Sequence, residues 1–456
     1  MRLSALFLAI VATSTAFVSS SALVSADDGG DEVVQMVVSL LTDSDKDMRQ
    51  LGLQQVREGE KDAETTRQFA ALLPKLPPDV QVGLLDALAD RGDAAAGPAV
   101  RGLIESRDPQ VRLAALRGLG ALGDKSDVAR LGPLLLAAEE AERTAARASL
   151  VRLQGSEIHA AIVAELKSAK PAIRVALLGV LTTRRATDCI PDMLAIAVAE
   201  DAQSRAAAMT ALGQLAGPEQ VPAMLKGVLA EPKGRQREAA EKAVAAVCGR
   251  IKDASHRAEP ILAAWTNLSN ADRLALLPTL GRVGGNDAVK PVEEAIQSRN
   301  PEEHEAGMRA ICNWPDAFVC ARLLHLAETE KEPALRNAAL HAFIRVAAIP
   351  DKRPDGEKLA LLKKAMTMTD RVEERNYLIQ RCQSIRTIES LRFVVPYLDQ
   401  PDYAHAACAT VVDLARHREL REPNKAEFTP ALDTAIRISK DPNIIDRAKR
   451  YRAGKT

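Results

Sequence analysis

The chain is poor in aromatic residues. Phe, Tyr and Trp make up 3% of its 456 positions, while Ala and Leu dominate. A single globular core of this length draws on aromatic bulk to fill a wide interior. Thin layers of helices, touching through small residues, need Leu, Val and Ala instead. Cysteine is also sparse. The six (Cys189, Cys248, Cys312, Cys320, Cys382, Cys408) form no CxxC pair and no dense framework, which excludes a disulfide-built scaffold and a zinc ribbon. Basic and acidic side chains number 61 each, so no excess of positive charge points to a nucleic-acid partner. There is no G-x-S-x-G, no H-E-x-x-H and no phosphate-loop glycine pattern, so no catalytic or cofactor-binding residue and no metal-ligand set is assigned from motifs.

The one apolar run comes first. Residues 1–26, MRLSALFLAIVATSTAFVSSSALVSA, have the form of a secretory signal peptide: Arg2, an apolar stretch from Ala5 to Val18, then small residues before Ala26. The apolar stretch is shorter than the ~20 residues of a bilayer span, which favours cleavage near Ala26 over a retained anchor. After Ala26 no uncharged run is long enough to cross a membrane. The expectation is a periplasmic or extracellular protein with residues 27–456 mature.

What is present is a repeat. DPQVRLAALRGLGALG (108–123) returns as DAQSRAAAMTALGQLAG (201–217), NADRLALLPTLGRVGG (270–285) and EPALRNAALHAFIRVA (332–347). An Arg placed four residues after Asp108, Asp201 or a residue in their place marks each copy. It recurs at Arg112, Arg143, Arg174, Arg205, Arg237, Arg273 and Arg336, at spacings of 31, 31, 31, 32, 36 and 63. The last gap is two units, with His304 in the missing rung. A period of this size is the mark of a solenoid.

Each unit reads as two helices. Asp108 is an N-cap and Pro109 fits the first helical position. Val111, Ala115, Leu119 and Leu122 recur at helical spacing, and Gly123 ends the run. A second pattern follows, as in PEQVPAMLKGVLAE (218–231), TDCIPDMLAIAVAE (187–200) and NDAVKPVEEAIQS (286–298), each a polar cap, an early Pro and one apolar stripe. The predicted fold is all-α: an α-solenoid of stacked helix–turn–helix units, about a dozen pairs over 27–456. It is most regular over 98–290 and more divergent over 300–456, with longer links at 250–259, 348–357 and 417–427. A cation at the start of a helix opposes the helix dipole. The recurring Arg is therefore expected to find Asp carboxylates and turn carbonyls of the adjoining unit, a structural ladder rather than a substrate clamp.

EQVPAMLKGVL (219–229) and DPQVRLAALRGLGALG resemble the two helices of the HEAT-repeat superfamily. The likeness is greatest to the short bacterial HEAT-like units of the phycobilin-lyase type, in a secreted form. The resemblance implies an armadillo-like superhelix and leaves function open, since these repeats serve unrelated proteins. One enzyme family on this fold, the deoxyhypusine hydroxylases, binds di-iron through several His-Glu dipeptides. Only His304-Glu305 occurs here, too few ligands for that centre. CNWPDA (312–317) and VVPYLD (394–399) are also similar to HEAT segments of secreted proteins with a sugar-degrading module, although no such module follows.

The cluster NPEEHEAGMRAICNWPDAFVC (300–320) falls on ordinary repeat positions. Cys312 lies in a small-residue slot shared with Gly120, Gly213 and Gly281, and Trp314 on the core position of Leu122. His304 and His405 are each expected to replace a ladder Arg, which would make those rungs pH-sensitive. Cys312 and Cys320 are candidates for a disulfide across the turn. The Tyr, Trp and His residues concentrated in 300–456 mark either a bulkier core or a recognition surface, with His304, His405, Tyr377 and Tyr403 as its candidate residues. The functional expectation is a non-enzymatic, cofactor-free scaffold with a protein partner. The alternative is an accessory part of a polysaccharide-degrading system of the envelope.

Overall fold

The computed structural model describes residues 28–59, 62–199 and 201–455; the signal-peptide reading of 1–26 lies outside the described residues. Among the described residues every regular element is helical, in α-helices joined by short 3-10 turns. None of these helices is long and apolar enough to cross a membrane. Contacts divide the chain into two compact units, one through Arg184 and one from Arg185 to Thr456.

In the first unit, helices pair from Asp28–Leu41 with Lys46–Glu58 through to Ile158–Ser168 with Pro171–Thr183. Pro109–Leu122 shows why. Asp108 accepts from the N–H groups of Gln110 and Val111, Pro109 opens the helix, and the Gly123 N–H closes it on the Leu119 carbonyl. Val111, Ala115, Leu119 and Leu122 are buried. The helix packs between its counterparts Pro78–Arg91 and Glu140–Arg152. Burying such Val and Leu side chains contributes about 1.5–3 kcal/mol each.

The second unit repeats the scheme from Ile190–Ile196 with Ala202–Leu215 to Lys425–Ile438 with Pro442–Arg452. Its second helices include Arg235–Cys248, Asn270–Val283, Pro301–Cys312, Pro333–Ala347 and Val372–Arg381, each packed on the next. The polar caps read as starts of first helices form separate 3-10 turns: Thr187–Cys189, Pro218–Gln220 and Asn286–Ala288 precede Ile190–Ile196, Val221–Ala230 and Val289–Ile296. The stretch 417–427, read as a link, carries the short helix Arg418–Arg421. Most of the aromatic bulk of 300–456 is core, with Trp314, Phe343, Phe428, Tyr403 and Tyr451 buried.

Candidate functional site: a charged groove on the second helices

Each recurring Arg donates to backbone carbonyls. Arg112 donates to the Ser106 carbonyl at 2.9 Å and Arg205 to the Ala199 carbonyl at 2.9 Å. Arg174 reaches the carbonyls of Leu166 and Ala169, Arg273 those of Trp265 and Thr266, and Arg143 that of Ala138 at 2.7 Å. These are the unsatisfied carbonyls where the preceding first helix ends, so the cation sits at a negative helix end. The carboxylates come from glutamates of the following unit. Arg112 holds Glu142, and Arg205 holds the buried Glu231 through Nε and Nη2. Arg237 then donates to the Glu231 backbone carbonyl at 2.8 Å, so one glutamate links two rungs. Glu330 does the same: His304 Nε2 lies 3.1 Å from its carboxylate, and Arg336 donates to its carbonyl at 3.3 Å. His304 Nδ1 donates to the Ile296 carbonyl at 2.6 Å.

The carboxylates of Asp108 and Asp201 cap the helices that follow. His405 is a correction. In the ladder slot the backbone N–H donates to the N-cap carbonyl, as Arg112 does to Asp108, and in this unit that residue is Ala407, bonded to Tyr403. His405 is two residues early and exposed. Tyr403 is a second correction; it is buried, edge-on to Tyr397 at 5.8 Å, and is not a surface residue. Arg49 and Arg375 occupy the slot without having been read from the sequence, donating to the carbonyls of Asp43 and Thr369. A second row was also missed. Arg91, Arg184, Arg250 and Arg345 reach back to carbonyls ending the second helix of the preceding unit, at Val56, Leu153, Gly213 and Trp314. All six cysteines are free, Cys312 and Cys320 included.

With those cations committed, the open chemistry lies on the second helices of the 185–456 unit. A cleft of about 450 Å³ runs over Arg235–Cys248, Asn270–Val283 and Pro301–Cys312, lined by Arg237, Glu241, Arg282, Glu305, Arg309 and Asn313. A second, of about 560 Å³, shares Asn313 and continues over Pro333–Ala347 to Glu374. In it His341 stacks on Tyr377 with ring centroids 4.3 Å apart, and its Nδ1 lies 3.0 Å from Glu374. Of the sequence candidates, Tyr377 is therefore the one that stands beside this groove. Arg282 Nε and Arg381 Nε are buried without a hydrogen-bond partner. Cys312 lines the second cleft beside His341, yet burial pushes its thiol up to about 12. A protonated thiol is a poor nucleophile.

Glu241 is 4% exposed, and burial raises its carboxyl above the ordinary range against the pull of Arg282, 3.5 Å away. A carboxyl whose folded pKa lies above its unfolded value stabilises the fold when protonated, and that stability is lost as pH rises through the folded pKa. Glu241→Gln is accordingly expected to melt above the wild type at pH 7–8, with the gap closing toward pH 4. Thermal melts across that range check the sign.

The family comparison decides what the repeat is. A model of HEAT repeats matches residues 67–151 and 160–245. These two stretches are HEAT repeats. No curated protein sequence matches the chain. Among solved structures the HEAT solenoid is similar to the karyopherin Kap121p bound to the SUMO protease Ulp1p, with a TM-score of 0.50 and 11% identity over 94% of this chain and 53% of that one. It is also similar to yeast importin-beta, Kap95p, with a TM-score of 0.44 and 12% identity over 93% of this chain and 66% of that one. The chain thus spans about half the length of the first of these. At such identity the likeness is one of fold, an α-solenoid of HEAT repeats, an architecture typical of protein-binding scaffolds.

Proposed function

We propose that the protein is an exported scaffold, without catalytic activity of its own, that holds a protein partner along the groove on the second helices of its 185–456 unit. The observation that carries this reading is the meeting of the two clefts at Asn313, which makes one continuous polar surface from Arg237 to Glu374. Carboxylates and guanidinium groups both line it, Glu241, Glu305 and Glu374 with Arg282, Arg309 and Arg345. Charged side chains of a bound chain would pair with them, and mixed charge favours selectivity over bulk attraction. The Kap121p solenoid bound to Ulp1p is a precedent for the fold in this role. Export rests on the form of residues 1–26.

The test is a photo-crosslinking amino acid at position 313 in the full chain, exposed to the envelope fraction of the source organism. A discrete protein adduct is expected, and the pair Arg282→Glu with Arg309→Glu is expected to weaken its capture by about tenfold or more. Recovery of glycan with no protein adduct would overturn the scaffold reading in favour of a polysaccharide-degrading system. An adduct indifferent to both charge reversals would remove the groove.

A further inference from the structure

In the second unit, 3-10 turns precede the first helices. Their middle residues are Asp188, Glu219, Ser255 and Asp287, and in the first unit Ala95 and Ser126. The turn Ala317–Val319 departs from this: its middle residue is Phe318, 63% exposed, more than any other large hydrophobic side chain among the described residues. A slot that elsewhere takes small or polar residues here takes an aromatic, and burial is not the reason.

Phe318 stands at the mouth of a cleft of about 420 Å³ whose walls include Ala254, Gly285, Trp314 and Ala317. Trp314 is 1% exposed and its indole N–H has no acceptor. Gly284 and Gly285, at φ of 72° and 96°, turn the backbone closely past that ring. A Cβ on Gly284 would come within 3.2 Å of the indole nitrogen and 2.8 Å of Pro315 Cδ.

Charge at the rim is equally specific. One first-unit counterpart of Asp316 is Asp124, since both cap a 3-10 turn by accepting from its middle N–H, as Asp93 does too. Asp124 is paired with Arg101 at 2.9 Å, 23 residues before it. The residue 23 before Asp316 is Glu293, and Glu293 is taken by Arg322 at 2.8 Å. Asp316 keeps its bond from the Phe318 N–H and no cationic partner among the described residues. Arg353, also on the rim, is already bound to Asp351 at 2.7 Å and to the Val346 carbonyl.

We propose that this edge is a second docking site, which takes a protein segment presenting an apolar side chain next to a Lys or Arg. The apolar group enters beside Phe318, and the cation pairs with Asp316. Aromatic side chains are enriched at interfaces, and a complementary charge beside one adds specificity.

The experiment uses the full chain and an array of dodecapeptides in which Leu, Phe or Ser is combined with a neighbouring Lys or Glu. Leu–Lys and Phe–Lys peptides are expected to bind above Leu–Glu and Ser–Lys ones. Phe318→Asp restores the residue type of the other turns, so its helical circular dichroism and melting should match the wild type while peptide binding falls by about tenfold or more. Asp316→Asn keeps the cap acceptor and should abolish the preference for Lys over Glu. An array without preference for apolar–basic pairs, binding unchanged in Phe318→Asp, or a Lys preference that survives Asp316→Asn each overturns the proposal. So does retention of neutral oligosaccharides by the wild type and not by Phe318→Asp.

Discussion

Gly281→Ala is expected to destabilise the 185–456 unit by about 2–3 kcal/mol. Gly281 lies inside the helix Asn270–Val283, where alanine is intrinsically better than glycine by about 1 kcal/mol. Contact reverses that preference. A Cβ at this position would lie 2.1 Å from the Ala310 carbonyl oxygen and 2.4 Å from its carbon. These are backbone atoms of the helix Pro301–Cys312, so no side chain can swing aside and the two helices must part. Each second helix packs on the next, so separation here also loosens the floor of the groove on both sides of Asn313. The control is Gly179→Ala, also inside a second helix. A Cβ there meets only Arg147 Nη1 at 3.4 Å, the far end of a flexible side chain. That variant should gain up to about 1 kcal/mol. Urea unfolding of the full chain, with hydrogen exchange to place the loss at 270–312, separates the two outcomes. Equal behaviour of both variants would mean that the helices at Gly281 are not held at backbone contact.

The repeat, the caps and the core were legible in the sequence because they depend on neighbours within one helix. Asp108, Pro109 and the spacing of Val111, Ala115, Leu119 and Leu122 act locally, and the structure places them as the pattern predicts. Partners in the next layer were not legible. Glu231 and Glu330 end first helices and carry two rungs each, yet their spacing from the Arg or His they hold is fixed only by stacking. His405 misled because the helix Ala404–Ala415 begins one residue after Tyr403, which shifts its ladder slot to Ala407. The aromatic excess of 300–456 was visible, but composition cannot tell a buried Phe343 from an exposed Phe318. Only the turn register, which sets Phe318 against Asp188, Glu219 and Asp287, makes the exposed ring conspicuous. The groove was illegible for a similar reason: its residues come from separate repeats and share a surface only once the helices are packed.

The second large effect falls in the other unit, at Arg91→Met, where about 3 kcal/mol or more of stability is expected to be lost. Arg91 is 3% exposed. Its Nε donates to the hydroxyl of the buried Thr66 at 2.7 Å, and its Nη1 to the carbonyls of Val56 and Gly59 at 2.9 and 3.3 Å. The guanidinium also lies 5.6 Å from the centre of the Phe69 ring. Methionine conserves the apolar stem, so little packing is lost, but it supplies no donor. The carbonyls that end the helix Lys46–Glu58 would then be left inside without partners, at about 1–3 kcal/mol for each buried acceptor. Arg91→Lys should recover only a fraction. An ammonium keeps the charge, but it cannot direct a planar fork of donors at a hydroxyl and two carbonyls at once. The order expected in urea unfolding is therefore wild type, then Lys, then Met. Faster exchange in both variants should begin at the end of Lys46–Glu58. A Lys variant as stable as the wild type would show that charge, and not the directed donors, holds this joint between repeats.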